Sequence, residues 1–326
     1  MRALTVTRLT DDLSGVGLCQ LPIPNPQAGE ALVRVHAASL NYPDLLMTRG
    51  AYQLCPELPF TPGLELAGEV ITAPAGSGLA PGMRVMGGAK TGAMADYAAL
   101  PAAALSPIPQ ELDWAQAAAL GAAYRTAWTG LVEFGRLQAG QRVLVHGASG
   151  GVDMAACDLA RALGARVIAA THRPDKLEQL ATVTDADAVI LNTGRFRDNV
   201  SQITDGALCD IVFDTVGGDV FDESTRCVAF GGQLQVIGFV SGRIPEIAAN
   251  IPLIKGFSVV GIRAGEYARR FPDRGAAIGS AVAAMAAEGR IAPAIDRILP
   301  LSRWKEAFVA MQDGELMGKV VLKPGE

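Results

Sequence analysis

The chain has 326 residues, of which 50% are hydrophobic and 19% charged, and its formal net charge is −5. That length exceeds one comfortable core and predicts two domains, and the composition predicts a folded globular protein. With no long Lys/Arg run nucleic acid is not expected as a partner, and with no apolar stretch near the roughly 18 residues a membrane span needs, none is expected.

The opening MRALTVTRLTDD holds no apolar core of signal-peptide length. Cys19, Cys55, Cys157, Cys209 and Cys227 are dispersed, with no C-x-x-C pair. They read as reduced and mostly buried thiols, which predicts a cytoplasmic protein.

Residues 1–120 are rich in Gly, Pro and short apolar runs. LTVTRL, EALVRVHAASL, LELAGEVITA and ADYAALP predict strands, broken by turns such as PIPNPQAGE and APAGSGLAPG. From residue 121 the rhythm changes. RVLVHGA predicts a strand, VDMAACDLARALG a helix, ARVIAAT a strand and PDKLEQL a short helix. ADAVIL, CDIVFDT and GGQLQVIGF supply three further strands. Strands alternating with helices predict an α/β unit with a doubly wound parallel sheet over residues 121–261. From 262 the alternation stops. RRFPDRGAAIGSAVAAMAAEG predicts a helix, and the strand, helix and strand that follow predict a return to the first domain over 262–326.

The stretch VLVHGASGGVDMAACDLA, Val143 to Ala160, is the chemically informative one. A dinucleotide turn needs a sharp bend, N–H groups close to phosphate, and a helix N-terminus aimed at the charge. Ser149, Gly150, Gly151 and Val152 lie between a strand and a helix, the context such a turn requires. The same letters spell G-x-S-x-G, the turn that presents a nucleophilic serine. That chemistry needs a histidine late in the chain. His36, His146 and His172 are the three histidines, and none lies in the last 150 residues. A nucleotide turn is therefore preferred, with Ser149 a small residue beside phosphate.

The second strand of this unit ends AATHRPDK. NAD sites usually carry an acid here for the ribose hydroxyls. Thr171, His172, Arg173 and Lys176 suit a 2′-phosphate instead, so NADP(H) is expected over NAD, with Asp175 the counter-argument. Asp153 stands where such turns usually have their last glycine. A carboxylate 5–6 Å from a phosphate repels it by about 3 kcal/mol at an effective dielectric near 20, so weakened nucleotide binding is expected.

SLNYPDLLMTRGAYQ, LPFTPGLELAGEV, GMRVMG, QRVLVHGASGGV, ALGARVIAATHRPDKLEQL, DIVFDTVGGDVFDES and GKVVLKP together resemble the zinc-independent medium-chain dehydrogenases/reductases, in the quinone oxidoreductase (zeta-crystallin-like) group. The resemblance runs over nearly the whole chain. It implies a GroES-like strand-rich domain at both chain ends, a central Rossmann domain, and a homodimer. Zinc-dependent relatives use Cys and His ligands; here Asn41-Tyr42-Pro43-Asp44 stands at the first ligand cysteine, and no Cys/His spacing suits a metal. No metal is expected.

Residue by residue, the resemblance implies that Asn41 lies near nicotinamide and substrate and Tyr52 at the substrate mouth. Thr126 is implied near the cofactor, and Gly150, Gly151 and Val152 at its pyrophosphate. Lys176 is implied at the 2′-phosphate, Phe239, Val240 and Ser241 beside the nicotinamide, and Lys319 near the cofactor. Asn192 falls where relatives commonly have tyrosine. The implied activity is NADPH-dependent hydride transfer to a quinone or other conjugated carbonyl, with Asn41 or Tyr52 as candidate donors to the substrate oxygen. The enzyme alternative is a 2-enoyl-thioester (enoyl-CoA) reductase with Arg263, Arg269 and Arg270 at a carrier entrance. The alternative of another class is a non-catalytic nucleotide-binding homologue whose site is weakened by Asp153.

Overall fold

The computed structural model describes residues 1–325. The strands in chain order are β1 (Arg2–Val6), β2 (Val16–Gln20), β3 (Glu30–Leu40), β4 (Glu65–Thr72), β5 (Arg84–Gly88), β6 (Tyr97–Pro101), β7 (Leu105–Pro107), β8 (Arg142–His146), β9 (Arg166–Thr171), β10 (Ala188–Leu191), β11 (Cys209–Asp214), β12 (Val228–Val236), β13 (Ser258–Gly261), β14 (Ile295–Pro300) and β15 (Lys319–Lys323). The α-helices are α1 (Tyr42–Met47), α2 (Trp114–Trp128), α3 (Gly151–Ala162), α4 (Leu177–Thr184), α5 (Arg197–Ile203), α6 (Gly218–Ser224), α7 (Asn250–Lys255), α8 (Ala264–Arg270), α9 (Pro272–Ala287) and α10 (Trp304–Gln312). They form two compact units, residues 1–122 with the chain from Ile295 on, and residues 123–294.

The first unit holds a sheet in the order β14-β15-β3-β4-β5-β7, with β6 also paired to β3, and a separate β1-β2 pair. β3 alternates buried and outward residues through Val35 and is then buried on both faces from Ala37 to Leu40. Its far end is therefore the place in this unit where a polar side chain must find partners inside the protein. β15 pairs antiparallel with that end, Val320 opposite Leu40.

The second unit is built on a six-stranded, all-parallel sheet in the order β10-β9-β8-β11-β12-β13. The strand order reverses between β8 and β11. In a doubly wound sheet the loops at the carboxyl ends of those strands flank the ligand crevice. Those loops are residues 147–150 and 215–217. The expected α/β fold, a strand-rich unit plus a parallel doubly wound one, is the observed fold.

The expected return to the first domain at residue 262 is corrected. The chain from 262 to 294 stays with the parallel sheet, and the return begins at β14. The reason is packing: α9 buries Ile278, Val282, Met285 and Ala286. Tyr267 donates to Glu133 Oε2 at 2.7 Å, and Arg125 donates to the Gly275 carbonyl at 3.5 Å. The end of strand–helix alternation marked the last crossover, not the end of the unit.

Candidate functional site: a buried ammonium cluster and a glycine turn

In the first unit, Asn41 caps α1 at the buried end of β3. Lys319, at the start of β15, donates from Nζ to Asn41 Oδ1 at 2.6 Å, Glu65 Oε1 at 2.9 Å and the Leu40 carbonyl at 3.2 Å. An ammonium has only protons to offer, so the Asn41 atom facing it is the amide oxygen. The Asn41 amide nitrogen then donates to Glu65 Oε1 at 3.0 Å and the Ser39 carbonyl at 3.2 Å. Glu65 Oε2 accepts the Ala122 N–H at 2.7 Å. Asp44 accepts from the Asn41 and Gly63 N–H groups, each at 2.9 Å, and its burial pushes its pKa up to about 7 against those two bonds.

Every proton of the Lys319 ammonium and of the Asn41 amide is thus used inside the cluster. No Asn41 N–H is left for a substrate oxygen, and no Lys319 proton is left for a cofactor. Glu65, the member that sequence reasoning missed, sits in the apolar run LELAGEVIT, which also holds Glu69; an acid flanked by two leucines at the start of a buried strand is the signal it carried. Tyr52, by contrast, is half-buried against the core of this unit. Its backbone carbonyl accepts from Cys55, and its hydroxyl makes no hydrogen bond among the described residues.

In the second unit, β8 ends at His146 and the chain turns through Gly147, whose φ of +66° suits glycine. Gly150 caps α3. A Cβ built on Gly150 would lie 2.5 Å from Asp153 Oδ2, so a larger residue here would force that carboxyl to move. Ser149, Gly150, Gly151 and Val152 all keep partial exposure. This is a cradle of backbone at a helix N-terminus, and it fits a phosphate.

Asp153 itself lies beneath the turn. It is 6% exposed and its Oδ1 accepts the Thr215 hydroxyl at 2.8 Å. That bond ties the first turn of α3 to the loop after β11, across the switch point of the sheet. Burial pushes the Asp153 pKa up to about 8, with the Thr215 bond opposing and the nearby Asp214 adding to the rise. Burial thus favours the uncharged carboxyl, the form that does not repel a phosphate. Asp214 accepts the N–H groups of Val216 and Gly217 at 2.8 and 3.0 Å.

His146 is buried behind this turn. Ser224 spends its one hydroxyl proton on the Val220 carbonyl at 2.6 Å. His146 Nε2, 2.8 Å from Ser224 Oγ, must then donate to it, which leaves Nδ1 to accept from Asn192 Nδ2 at 3.1 Å. Burial holds the imidazole far below its ordinary range, at a pKa of about 3.

Beyond β9, Thr171 is buried and its hydroxyl accepts the Arg173 N–H at 3.1 Å. Arg173 grips Asp175 through two bonds, at 2.9 and 2.8 Å. Lys176, implied at the 2′-phosphate, is only 4% exposed. Val240 and Ser241 donate backbone N–H to the Thr215 and Val216 carbonyls, so the exposed Phe239–Ser241 loop runs along the 215–217 loop. Thr126 sits half-buried on α2. Arg269 and Arg270, considered as a carrier entrance, both clasp Glu266.

Among the described residues no three His, Cys, Asp or Glu side chains gather as a metal-ion holder, and no helix is long and apolar enough to cross a membrane. Where a cation could sit beside Glu65, the Lys319 ammonium already does. That donor set does not fit zinc.

The zinc-binding dehydrogenase family pattern matches residues 151–291, and the GroES-like domain of alcohol dehydrogenase matches 27–110. A quinone oxidoreductase-like protein 2 homolog from Nematostella vectensis is 36% identical over 302 residues, 91% of this chain and 82% of that one. A probable oxidoreductase from Mycobacterium abscessus superposes with a TM-score of 0.90 at 35% identity, covering 99% of each chain. A quinone oxidoreductase from Thermus thermophilus, solved alone and with NADPH, gives 0.83 at 28% identity over 99% of this chain and all of that one.

Proposed function

Starting from a chain that belongs to the medium-chain dehydrogenase/reductase family, in its quinone oxidoreductase-like group, we propose that it is an NADPH-dependent, zinc-independent reductase of quinones or other conjugated carbonyls. The observation that carries this reading is the glycine cradle at Ser149–Val152, open at the N-terminus of α3 and placed at the switch point of the parallel sheet. Bound there, the cofactor supplies a hydride to the electron-poor carbon of the conjugated system.

The chain's own residues bind and orient. The Gly151 and Val152 N–H groups face the pyrophosphate, assisted by the helix dipole. Arg173 takes the 2′-phosphate by exchanging Asp175 for it, with Thr171 holding the backbone of that loop. Phe239, Val240 and Ser241 border the nicotinamide end, and Thr126 lies along the cofactor. Of the two candidate donors to the substrate oxygen, Tyr52 keeps an uncommitted hydroxyl. Asn41, fully engaged by Lys319 and Glu65, acts as a positioning residue, and Lys319 does the same rather than touching the cofactor. The proton that completes reduction comes from Tyr52 or from water.

In the enoyl-thioester alternative, Arg269 and Arg270 would have to exchange Glu266 for the carrier phosphate, as Arg173 exchanges Asp175. The non-catalytic alternative rests on an ionised Asp153, the form that burial disfavours. We further propose a homodimer formed through β13. This edge strand is largely exposed, and Phe230, Leu253 and Ile254 nearby are 89%, 81% and 74% exposed. An unpaired edge beside large apolar side chains suits two-fold pairing with a second copy.

The test is a fluorescence titration with NADPH and NADH, followed by turnover on a quinone, an enone and an enoyl-CoA. Preferential NADPH binding with consumption on the first two supports the reading. Failure to bind either nucleotide sinks it.

A further inference from the structure

Asp153 is an odd group to find under a phosphate cradle. Its Oδ1 is taken by the Thr215 hydroxyl, so the carboxyl is fixed in rotation. The other oxygen, Oδ2, is the atom set against Gly150, within 2.5 Å of where a Cβ would stand and 3.4 Å from the same point at Gly147. Oδ2 is thus the oxygen on the side of the glycine turn.

The groups around it carry no compensating positive charge. From α3 the neighbour is the buried Cys157 thiol, one turn on. From the end of β11 it is the Asp214 carboxyl. From the following loop it is the neutral Thr215 hydroxyl. From β8 it is His146, whose ring is held neutral by burial and whose carbonyl lies 3.5 Å from Thr215 Oγ1. An ionised Asp153 would add a negative charge to a site that exists to receive one, within a few bonds of the N–H groups that receive it. A protonated Asp153 adds none.

We propose that Asp153 couples dinucleotide binding to a proton: the pyrophosphate seats on the glycine turn with this carboxyl neutral, and ionisation of the carboxyl expels it. The proposal rests on the nucleotide reading of the turn. It makes the protein a weaker binder as the medium becomes alkaline, with one proton taken up per dinucleotide bound once Asp153 has ionised. Thr215 sets the midpoint. Its hydroxyl favours the charged carboxylate, so its removal moves the loss of affinity to higher pH.

The experiment measures the NADPH dissociation constant between about pH 6.5 and 9.5, above the 2′-phosphate's own titration near pH 6. Wild type is compared with Asp153→Asn, Asp153→Gly and Thr215→Val. Wild-type affinity should fall by a slope approaching about tenfold per pH unit at the alkaline end. Asp153→Asn and Asp153→Gly should stay flat by comparison, and Thr215→Val should fall later than wild type. Calorimetry of the wild type in two buffers of different ionisation enthalpy should show uptake approaching one proton near pH 9.5. Parallel profiles for wild type and the Asp153 variants, or no proton uptake, overturn the proposal while leaving the nucleotide reading intact. Binding by the variants but by wild type at no pH also overturns it, because Asp153 would then block the turn whatever its charge. No binding by any of the four proteins at any pH removes the nucleotide reading itself.

Discussion

Lys319 and Asn41, 278 residues apart in sequence, are joined by a 2.6 Å hydrogen bond at the buried end of β3, and Glu65 holds them both. Removing one partner from a buried ion pair leaves a charge without its counter-charge, which costs about 3–5 kcal/mol. Lys319→Met should therefore lower the urea midpoint strongly. Lys319→Met combined with Glu65→Gln should recover part of the loss, because no buried charge then remains. A double variant as unstable as the sum of the singles would show that the ammonium and carboxylate do not act as a pair.

The contact between Gly150 and Asp153 gives a second expectation. Gly150→Ala places a methyl 2.5 Å from Asp153 Oδ2, in a turn with little room to yield. Overpacking of this kind costs about 1–3 kcal/mol. In an Asp153→Gly background the obstacle is gone and the same substitution should cost far less. A double-mutant cycle read by thermal or urea unfolding measures the coupling. An equal cost in both backgrounds would assign it to the Gly150 backbone.

The parallel sheet was legible because its signals are local. RVLVHGA and ARVIAAT are apolar runs followed by helical spacing, and they became β8 and β9 with α3 between them. The Lys319 cluster was not legible in this form. Its members come from β3, β4 and β15, and only tertiary pairing brings them together. Asn41 and Lys319 were singled out, but their mutual engagement and Glu65 were hidden. β13 escaped because SVVG is short and largely exposed, so it shows neither a buried run nor a clean alternation. The side-chain direction of Asp153 is a similar case. Sequence places it in the first turn of α3, whereas the Thr215 bond that turns it under the loop comes from 62 residues away.

His146 should leave a mark on acid stability. The folded imidazole resists protonation down to about pH 3, while the unfolded one takes a proton near its ordinary 6.5. The unfolded state therefore binds more protons between those values. This group contributes no penalty above about pH 6.5, and it removes about 1.4 kcal/mol per pH unit as the pH falls below that. His146→Asn cannot be protonated there, so its unfolding free energy should fall less steeply with acid than that of wild type. Equal slopes from pH 6.5 to 4 would place the imidazole in contact with water.

Arg173 is held by Asp175 in the loop after β9, and this bears on cofactor choice. A 2′-phosphate must displace that carboxylate to gain the guanidinium. Asp175→Asn weakens the competitor, so NADPH should bind more tightly, by at most about fivefold, the range for releasing an exposed ion pair. NADH lacks the phosphate and should respond little. Arg173→Ala should lower NADPH affinity and bring the two nucleotides closer together. Equal changes for NADPH and NADH in the Asp175 variant would remove Arg173 from the 2′-phosphate site.

The exposed edge at β13 supplies the last expectation. Phe230 lies over Gly256, where a Cβ would stand 2.3 Å from its ring, and Leu253 and Ile254 project from α7 beside it. Isolated apolar residues on a surface are ordinary, but three large ones next to an unpaired strand edge suit a shared core between copies. Leu253→Glu combined with Ile254→Glu would place two like charges on each copy where the pair meets. By light scattering after gel filtration, wild type should have the mass of a dimer and the double variant that of a monomer. Substitution of Val259 by Pro should act in the same direction by removing an edge N–H from the pairing strand. A wild-type monomer, or a double variant that remains a dimer, would move the interface elsewhere or abolish it.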